Sequence, residues 1–356
     1  MTIERSAVLG AGPGGVAAAA ALTRAGIKVA LYNRSLERIA PLASLGGVEI
    51  EGDLGEEFVP ISVMTDDIEK ALFGAQLILC VTPAYGQHPL AELVAPHIKP
   101  GSAFVLASGS AGSLEVAQIF RERGIDVGDR VLLGETLSLP QSARMTSDVR
   151  VRIKLPSTVR MAAFPARNNE RLSAYIGAAI KHRLTVNVLD TGINNVNFLI
   201  HPAPMLLNYA EIERADNKFS LMNEGMTPGV LRLMDAVDAE KMAVARAFAL
   251  KPSSIDELYV ELGSGPHVYR VKGEPFGLRD QIWSRYITED VPYGMVLLSS
   301  LGAVAGVPTP LCDAIAITLA ALEETNYLAE GRTAETLGLA GMTPSEITEF
   351  LHDGWT

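Results

Sequence analysis

Three stretches of this chain place side chains in patterns that could do chemistry. The first runs from Asn194 to Asn208. Read as a helix, it puts Asn194, Asn197, His201 and Asn208 on one face and leaves the remaining positions largely apolar. Polar groups on an apolar helix must find partners or line a binding surface. An imidazole can give and take a proton near neutral pH, so His201 is a candidate general acid/base, with Asn197 one turn away. The competing reading is a satisfied core histidine. Pro202 and Pro204 predict a kink just past it. The second stretch is Arg285-Tyr286-Ile287-Thr288-Glu289-Asp290-Val291-Pro292-Tyr293-Gly294. Arg285 and Glu289 are spaced as an ordinary surface pair on a helix. Asp290 is either a helix-end residue or a carboxylate available to His201, and spacing alone does not bring the two together.

The third stretch is Gly10-Ala11-Gly12-Pro13-Gly14-Gly15, between an apolar Ala7-Val8-Leu9 run and an alanine-rich helical segment. Gly10, Gly12 and Gly15 satisfy the dinucleotide fingerprint. The first makes the tight turn, the second admits a pyrophosphate to the backbone, and the third lets helix and sheet pack closely. A second strand follows at the right distance and ends in Asn33-Arg34-Ser35, with Arg38 just beyond. An NAD site wants a carboxylate there for the ribose hydroxyls. Arginines suit a phosphate instead. The expected cofactor is NADP, with NADPH preferred and NAD the second candidate. Asn33, Arg34, Ser35 and Arg38 lie around the ribose, and a solvated loop is the alternative. Thr82 and Pro83 end another buried strand, either beside the cofactor or as a plain terminator.

These groups need elements to position them. Up to about Asp190, β-rich runs (Ala7 to Leu9, Lys28 to Tyr32, Leu77 to Val81, Ala103 to Leu106, Val131 to Leu133) alternate with helical patterns. That alternation predicts an α/β Rossmann-type domain, a doubly wound parallel sheet with helices on both faces. Gly46 to Met64 reads as an inserted hairpin. From about Thr191 helical patterns dominate, which predicts an all-α C-terminal domain. Residues 1–187 form the expected dinucleotide-binding domain and 188–356 the substrate and catalytic domain. At 356 residues, two domains are also the natural division. Met295 to Leu322 is apolar but broken by Pro308, Pro310 and Asp313, so it reads as two buried helices rather than a membrane span.

The formal net charge of -11 argues against nucleic acid and anionic membrane as partners. It also means that a carboxylate substrate must be received by individual arginines. Cys80 and Cys312 both sit in apolar runs and make neither a metal spacing nor a disulfide framework, as in a reducing cytoplasm. No metal site is expected. A strand begins by Ser6, so no signal peptide is read.

Taken together, these motifs resemble the bacterial opine dehydrogenases of the octopine/nopaline dehydrogenase type, closely those of the N-(1-D-carboxyethyl)-L-norvaline dehydrogenase kind. The resemblance spans essentially the whole chain. It rests on the glycine turn, Asn195 to Asn208, Glu224-Gly225-Met226-Thr227-Pro228 and Arg285 to Val291. Val307-Pro308-Thr309-Pro310-Leu311 and Gly331 to Leu339 complete it. It implies condensation of an amino acid amine with a 2-oxo acid such as pyruvate, followed by NAD(P)H-dependent reduction of the imine. It further implies His201 as general acid/base with Asp290 its partner, Arg285 on a substrate carboxylate, Asn197 holding substrate, and a homodimer. The norvaline-type enzymes carry an acidic residue after the second strand, whereas this chain has Asn33-Arg34, so NAD is not carried over with the resemblance.

Two other readings compete. A ketopantoate reductase-like or 2-hydroxy-acid reductase shares the two-domain plan but uses a catalytic lysine. Lys218, Lys241, Lys251 and Lys272 show no apolar stripe like that around His201. A non-catalytic NADP-binding redox sensor would not need His201. Arg144, Arg279 and Tyr293 are further substrate-side candidates.

Overall fold

The computed structural model describes residues 3–154, 158–215, 219–261 and 281–355, with the backbone alone for 281–284. Lys218, Lys272 and Arg279 fall outside the described residues. The chain divides into two compact units, residues 1–191 with 350–356, and residues 192–349.

The first unit contains strands β1 (Arg5–Leu9), β2 (Lys28–Tyr32), β3 (Gly47–Gly52), β4 (Glu57–Pro60), β5 (Val63–Thr65) and β6 (Leu77–Cys80). It continues with β7 (Ala103–Leu106), β8 (Leu132–Thr136), β9 (Ser142–Met145), β10 (Arg150–Lys154), β11 (Val159–Phe164) and β12 (His182–Leu184). Eight of them form one sheet in the order β12-β11-β8-β7-β6-β1-β2-β5. Its central strands are fully buried, which is why they read as short continuous apolar runs. The sheet departs from the all-parallel expectation at one place, where β11 pairs antiparallel with β8. The chain leaves β1 toward β2 and β5 on one side and returns through β6, β7 and β8 on the other. Ligands of such sheets bind at that reversal, outside the carboxyl ends of the strands.

The inserted hairpin is β3 against β4. β10 adds parallel to β3 and β9 antiparallel to β10, making a four-stranded sheet of its own. Helix Pro13–Arg24 lies between this small sheet and the main one. Burial on both sides explains its sequence, because Ala17, Ala18, Ala19 and Ala20 are all enclosed. Only small side chains let two sheets approach one helix so closely.

At the carboxyl end of β7 the backbone of Ser108, Ser110 and Ala111 is left-handed, a conformation costly for non-glycine residues. Glu135, at the end of β8, holds this turn from beneath. One carboxylate oxygen accepts from the Ala111 N–H at 2.8 Å and the Thr191 hydroxyl at 2.6 Å. The other accepts from the Ser113 N–H at 3.0 Å and the Ser113 hydroxyl at 2.7 Å. Burial pushes the Glu135 carboxyl up, against those hydrogen bonds, which pull it down.

Residues 350–356, which the sequence division puts with the helical domain, belong to the first unit. Phe350 and Trp355 pack on Phe164, with ring centroids 5.3 and 5.4 Å away, and the Arg121 guanidinium lies over the Trp355 ring.

The second unit has helices and no strand among its described residues. Helix Pro228–Ala247 packs against its neighbours Pro202–Arg214, Val296–Ala305 and Pro310–Leu322. The last two are the pair expected from the apolar stretch, separated by a left-handed Gly306. One lysine corrects the sequence reading. Lys241 is fully buried on the Pro228–Ala247 helix beside Val237 and Val244. It pairs with Asp238 at 2.7 Å and donates to the Ser253 carbonyl, so its charge is satisfied inside an apolar stripe. Among the described residues no helix is long and apolar enough to cross a membrane.

Candidate active site

In the second unit, His201 and Asp290 meet. Nδ1 of His201 lies 2.7 Å from Oδ2 of Asp290, and both residues are buried, each about 7 % exposed. With Nδ1–H donating to the carboxylate, Nε2 is the nitrogen left to exchange a proton. Two local features build this contact. Helix Asn197–Ile200 ends at His201 and helix Pro202–Arg214 begins immediately after it. Pro202 has no N–H to bond to the carbonyl four residues back, so the break falls at the histidine itself and not just past it. Asp290 in turn opens a π-helical turn, Val291–Met295, whose Gly294 packs directly on Phe198. A Cβ there would stand 2.3 Å from the Phe198 Cβ. Only glycine lets this turn come close enough to deliver Asp290.

The continuous four-residue face does not form, because the segment breaks into separate helices. Asn194 accepts from the Ser253 N–H at 3.3 Å, and Asn208 donates to the carbonyls of Pro204 and Gly225. These two asparagines tie elements together. Asn197 is different: it is exposed, and its carbonyl accepts from the His201 N–H one turn on. Arg285 takes the surface-pair geometry, with Nε and Nη2 at 2.9 and 2.5 Å from Glu289 Oε2, and its side chain is half exposed. Tyr286, quoted in the sequence motif without a role, lies flat on the His201 ring at a centroid separation of 3.5 Å. Tyr286 and His201 lie far apart in the chain, so spacing gave no sign of this contact. Tyr293 packs under the Arg332 guanidinium at 5.0 Å.

In the first unit the glycine turn follows β1 as expected. Gly10 has φ +114°, and a Cβ on it would collide with the Val81 carbonyl. A Cβ on Gly15 would collide with the Gly10 carbonyl. At Gly12, by contrast, a Cβ would meet only open space, so the backbone there is accessible. Gly12 caps helix Pro13–Arg24 without a side-chain hydrogen bond, and a helix start of this kind can hold an anion. Asn33 accepts from the Ala11 N–H at 3.2 Å and donates to the Ser35 carbonyl at 2.9 Å, tying the turn to the end of β2. Arg34, Ser35 and Arg38 are exposed, and neither arginine pairs with a carboxylate among the described residues. Thr82 and Pro83 are half-buried at the carboxyl end of β6, where the Thr82 hydroxyl lies 3.3 Å from the Cys80 sulfur. Burial pushes the Cys80 thiol up to about 11, so it acts as a core residue. Arg144, on β9 of the small sheet, pairs in register with Arg152.

A glycine turn with the dinucleotide fingerprint in one unit and a buried histidine–carboxylate pair in the other point to a class, the nicotinamide-dependent dehydrogenases. Comparison with known proteins gives the class a family. Residues 185–322 match the family described as NAD/NADP octopine/nopaline dehydrogenase, alpha-helical domain, and residues 6–164 match ketopantoate reductase PanE/ApbA. Opine dehydrogenase of Arthrobacter sp. (strain 1C) is 36 % identical over 351 residues, covering 96 % of this chain and 97 % of that protein. A structure of octopine dehydrogenase with NADH and pyruvate superposes with a TM-score of 0.73 at 19 % identity, covering 98 % of each chain. Yersinopine dehydrogenase with NADP+ gives 0.68 at 14 %, covering 99 % and 98 %. The chain belongs to the opine dehydrogenase family. It is an NAD(P)-dependent oxidoreductase acting on CH–NH donors, by reductive condensation of an amino acid with a 2-oxo acid. That removes the redox-sensor reading, and the match to the ketopantoate reductase family model covers residues 6–164, within the first unit.

Proposed function

We propose that the protein joins an amino acid to a 2-oxo acid such as pyruvate through an imine, with His201 as general acid and NADPH as the preferred reductant. The observation that carries this reading is the buried 2.7 Å contact between His201 and Asp290. Bound NAD(P)H supplies the hydride. His201 gives the proton from Nε2 to the imine nitrogen as the adjacent carbon is reduced, and takes it back in the oxidative direction. Asp290 fixes the ring tautomer and stabilises the imidazolium. Arg285, half exposed and next in the chain to the Tyr286 that stacks on His201, receives a substrate carboxylate, as an acidic protein requires. Asn197, one helical turn from His201, holds substrate through its amide. The amides around Gly12 cradle the pyrophosphate, backed by Gly10 and Gly15.

The preference for NADPH rests on Arg34 and Arg38, with Ser35, at the end of β2, where no carboxylate stands. Asn33 serves the cofactor by holding the turn. Thr82 and Pro83 flank it from the end of β6. The two buried free cysteines fit a reducing cytoplasm, and we propose a homodimer, which sedimentation would show as twice the 37.9 kDa chain mass. The decisive assay is NADPH oxidation with pyruvate and other 2-oxo acids against a panel of amino acids and simple amines. Oxidation that needs both partners is expected. Oxidation with a 2-oxo acid alone would identify a hydroxy-acid reductase instead. In Arg34→Ala, the KM for NADPH should rise about tenfold or more while that for NADH stays put, because a charge-assisted bond to the 2′-phosphate is lost. Equal effects on both cofactors would refute the phosphate role.

A further inference from the structure

We propose that Tyr286 is a positioning residue that stabilises the protonated form of His201 by lying face to face on its ring. The proposal rests on the reading of His201 as the acid/base. The two rings are 13° from parallel with centroids 3.5 Å apart. That is one ring thickness, so the rings overlap almost fully, with little sideways offset. Two neutral aromatic rings avoid this arrangement, because their electron-rich faces repel and they slide apart or turn edge-on. The sign reverses when one ring is a cation, since a positive charge is drawn to the face of a tyrosine ring. Full overlap is therefore the geometry suited to an imidazolium on a neutral phenol. Burial and the Asp290 charge push the Tyr286 phenol up, while Arg285 pulls it down only in part. The phenol thus stays neutral and does not compete for the proton.

The two neighbours constrain the histidine together. Asp290 holds Nδ1 and Tyr286 covers one ring face, which fixes the orientation of the ring that carries Nε2. Among the described residues, Asp290 and Arg285 are the charges that act on Tyr286, Asp290 also binds His201, and the buried Arg332 by the same turn lies over the Tyr293 ring. Several charged groups on elements packed near the two helices joined at His201 are bound to partners of their own. Lys241 is held by Asp238, and Glu240 accepts from the N–H groups of Leu311 and Cys312. Asp313 is bound to the Ser299 hydroxyl and Glu224 to the Ser220 N–H.

The test compares Tyr286→Phe, Tyr286→Leu and Tyr286→Met with His201→Asn. The kcat/KM for imine reduction is followed against pH. The His201 ring signal of the cofactor-free protein, assigned by its loss in H201N, is titrated by NMR. Reduction needs the protonated ring, so activity falls as pH rises through its titration. Losing the aromatic face should move that limb, and the NMR midpoint, to lower pH by about half a unit to one unit in Y286L and Y286M. Y286F keeps the ring and should leave both readouts in place. KM for NADPH should be unchanged in the three Tyr286 variants. If Y286L and Y286M titrate like the parent, or if Y286F shifts as far as they do, the stacking role is overturned. An active H201N would instead overturn the acid/base reading on which the proposal rests. An inactive H201N with an unmoved Y286L limits the failure to Tyr286.

Discussion

Asp290 stands 89 residues from His201 in the chain and 2.7 Å from it in space. The carboxylate accepts from Nδ1–H, and that choice of partner sets which nitrogen carries the mobile proton. Asp290→Asn keeps the shape but lets an amide N–H face Nδ1, which favours the wrong tautomer. We expect kcat to fall by about 10²–10⁴ with the KM for NADPH unchanged. His201→Ala should abolish imine reduction while cofactor binding, followed by fluorescence titration, survives. Near-normal turnover in either variant would remove the pair from the mechanism. The residue types at these positions were legible in the sequence, and the resemblance to opine dehydrogenases suggested their partnership. Their contact was not legible, because spacing along one helix says nothing about a residue delivered by another. The same limit applies to Lys241. Its neighbours Val237 and Val244 were visible, but its burial depends on Asp238 and the Ser253 carbonyl closing around it.

Among the elements, a helix break and a glycine contact together build the pair. The histidine sits at the junction of two helices because Pro202 cannot continue the first. The π-helical turn after Asp290 reaches this junction because Gly294 has no side chain. Gly294→Ala would drive a methyl group into the Phe198 side chain, with the turn or the helix forced to move. Overpacking of this kind costs about 1–3 kcal/mol. A shift near 1 Å in Asp290 would lower kcat by about 10²-fold. Thermal unfolding and kcat should therefore both respond, while KM for NADPH, which we propose is set by the glycine turn of the other unit, should not. A G294A enzyme with parental kcat would show that the turn does not position Asp290. The prolines predicted a kink from sequence, but its place at His201 came from the hydrogen-bond register.

For the molecule as a whole, the chain end returns to the unit in which the chain begins. Phe350 and Trp355 close over Phe164, and Arg121 covers the indole. Trp355→Ala removes a half-buried aromatic anchor, a loss of about 2 kcal/mol once its partial exposure is allowed for. For a unit of this size that lowers Tm by about 4–8 °C. Turnover measured well below the transition should be unaffected, since the His201–Asp290 pair lies in the other unit. Unchanged melting would mean that the terminal segment does not support the first unit. Its helical pattern gave no sign of where it docks, because an amphipathic face specifies that it must be covered and not by what.

What the sequence determined by itself is everything carried by local pattern. The glycine turn follows from backbone conformations that only glycine adopts easily. The buried strands show as short apolar runs, the change from α/β to helical character shows as a change of period, and Arg34 and Arg38 stand where a carboxylate would otherwise be. The tertiary structure decided what depends on contacts between distant segments. It set the antiparallel β11 and the small sheet over the alanine helix, and placed Glu135 beneath a strained turn. It also brought Asp290 and Tyr286 to His201. Hydrophobic period fixes which face of an element is buried. Which partner meets that face, and at what distance, is set only when all the elements pack at once.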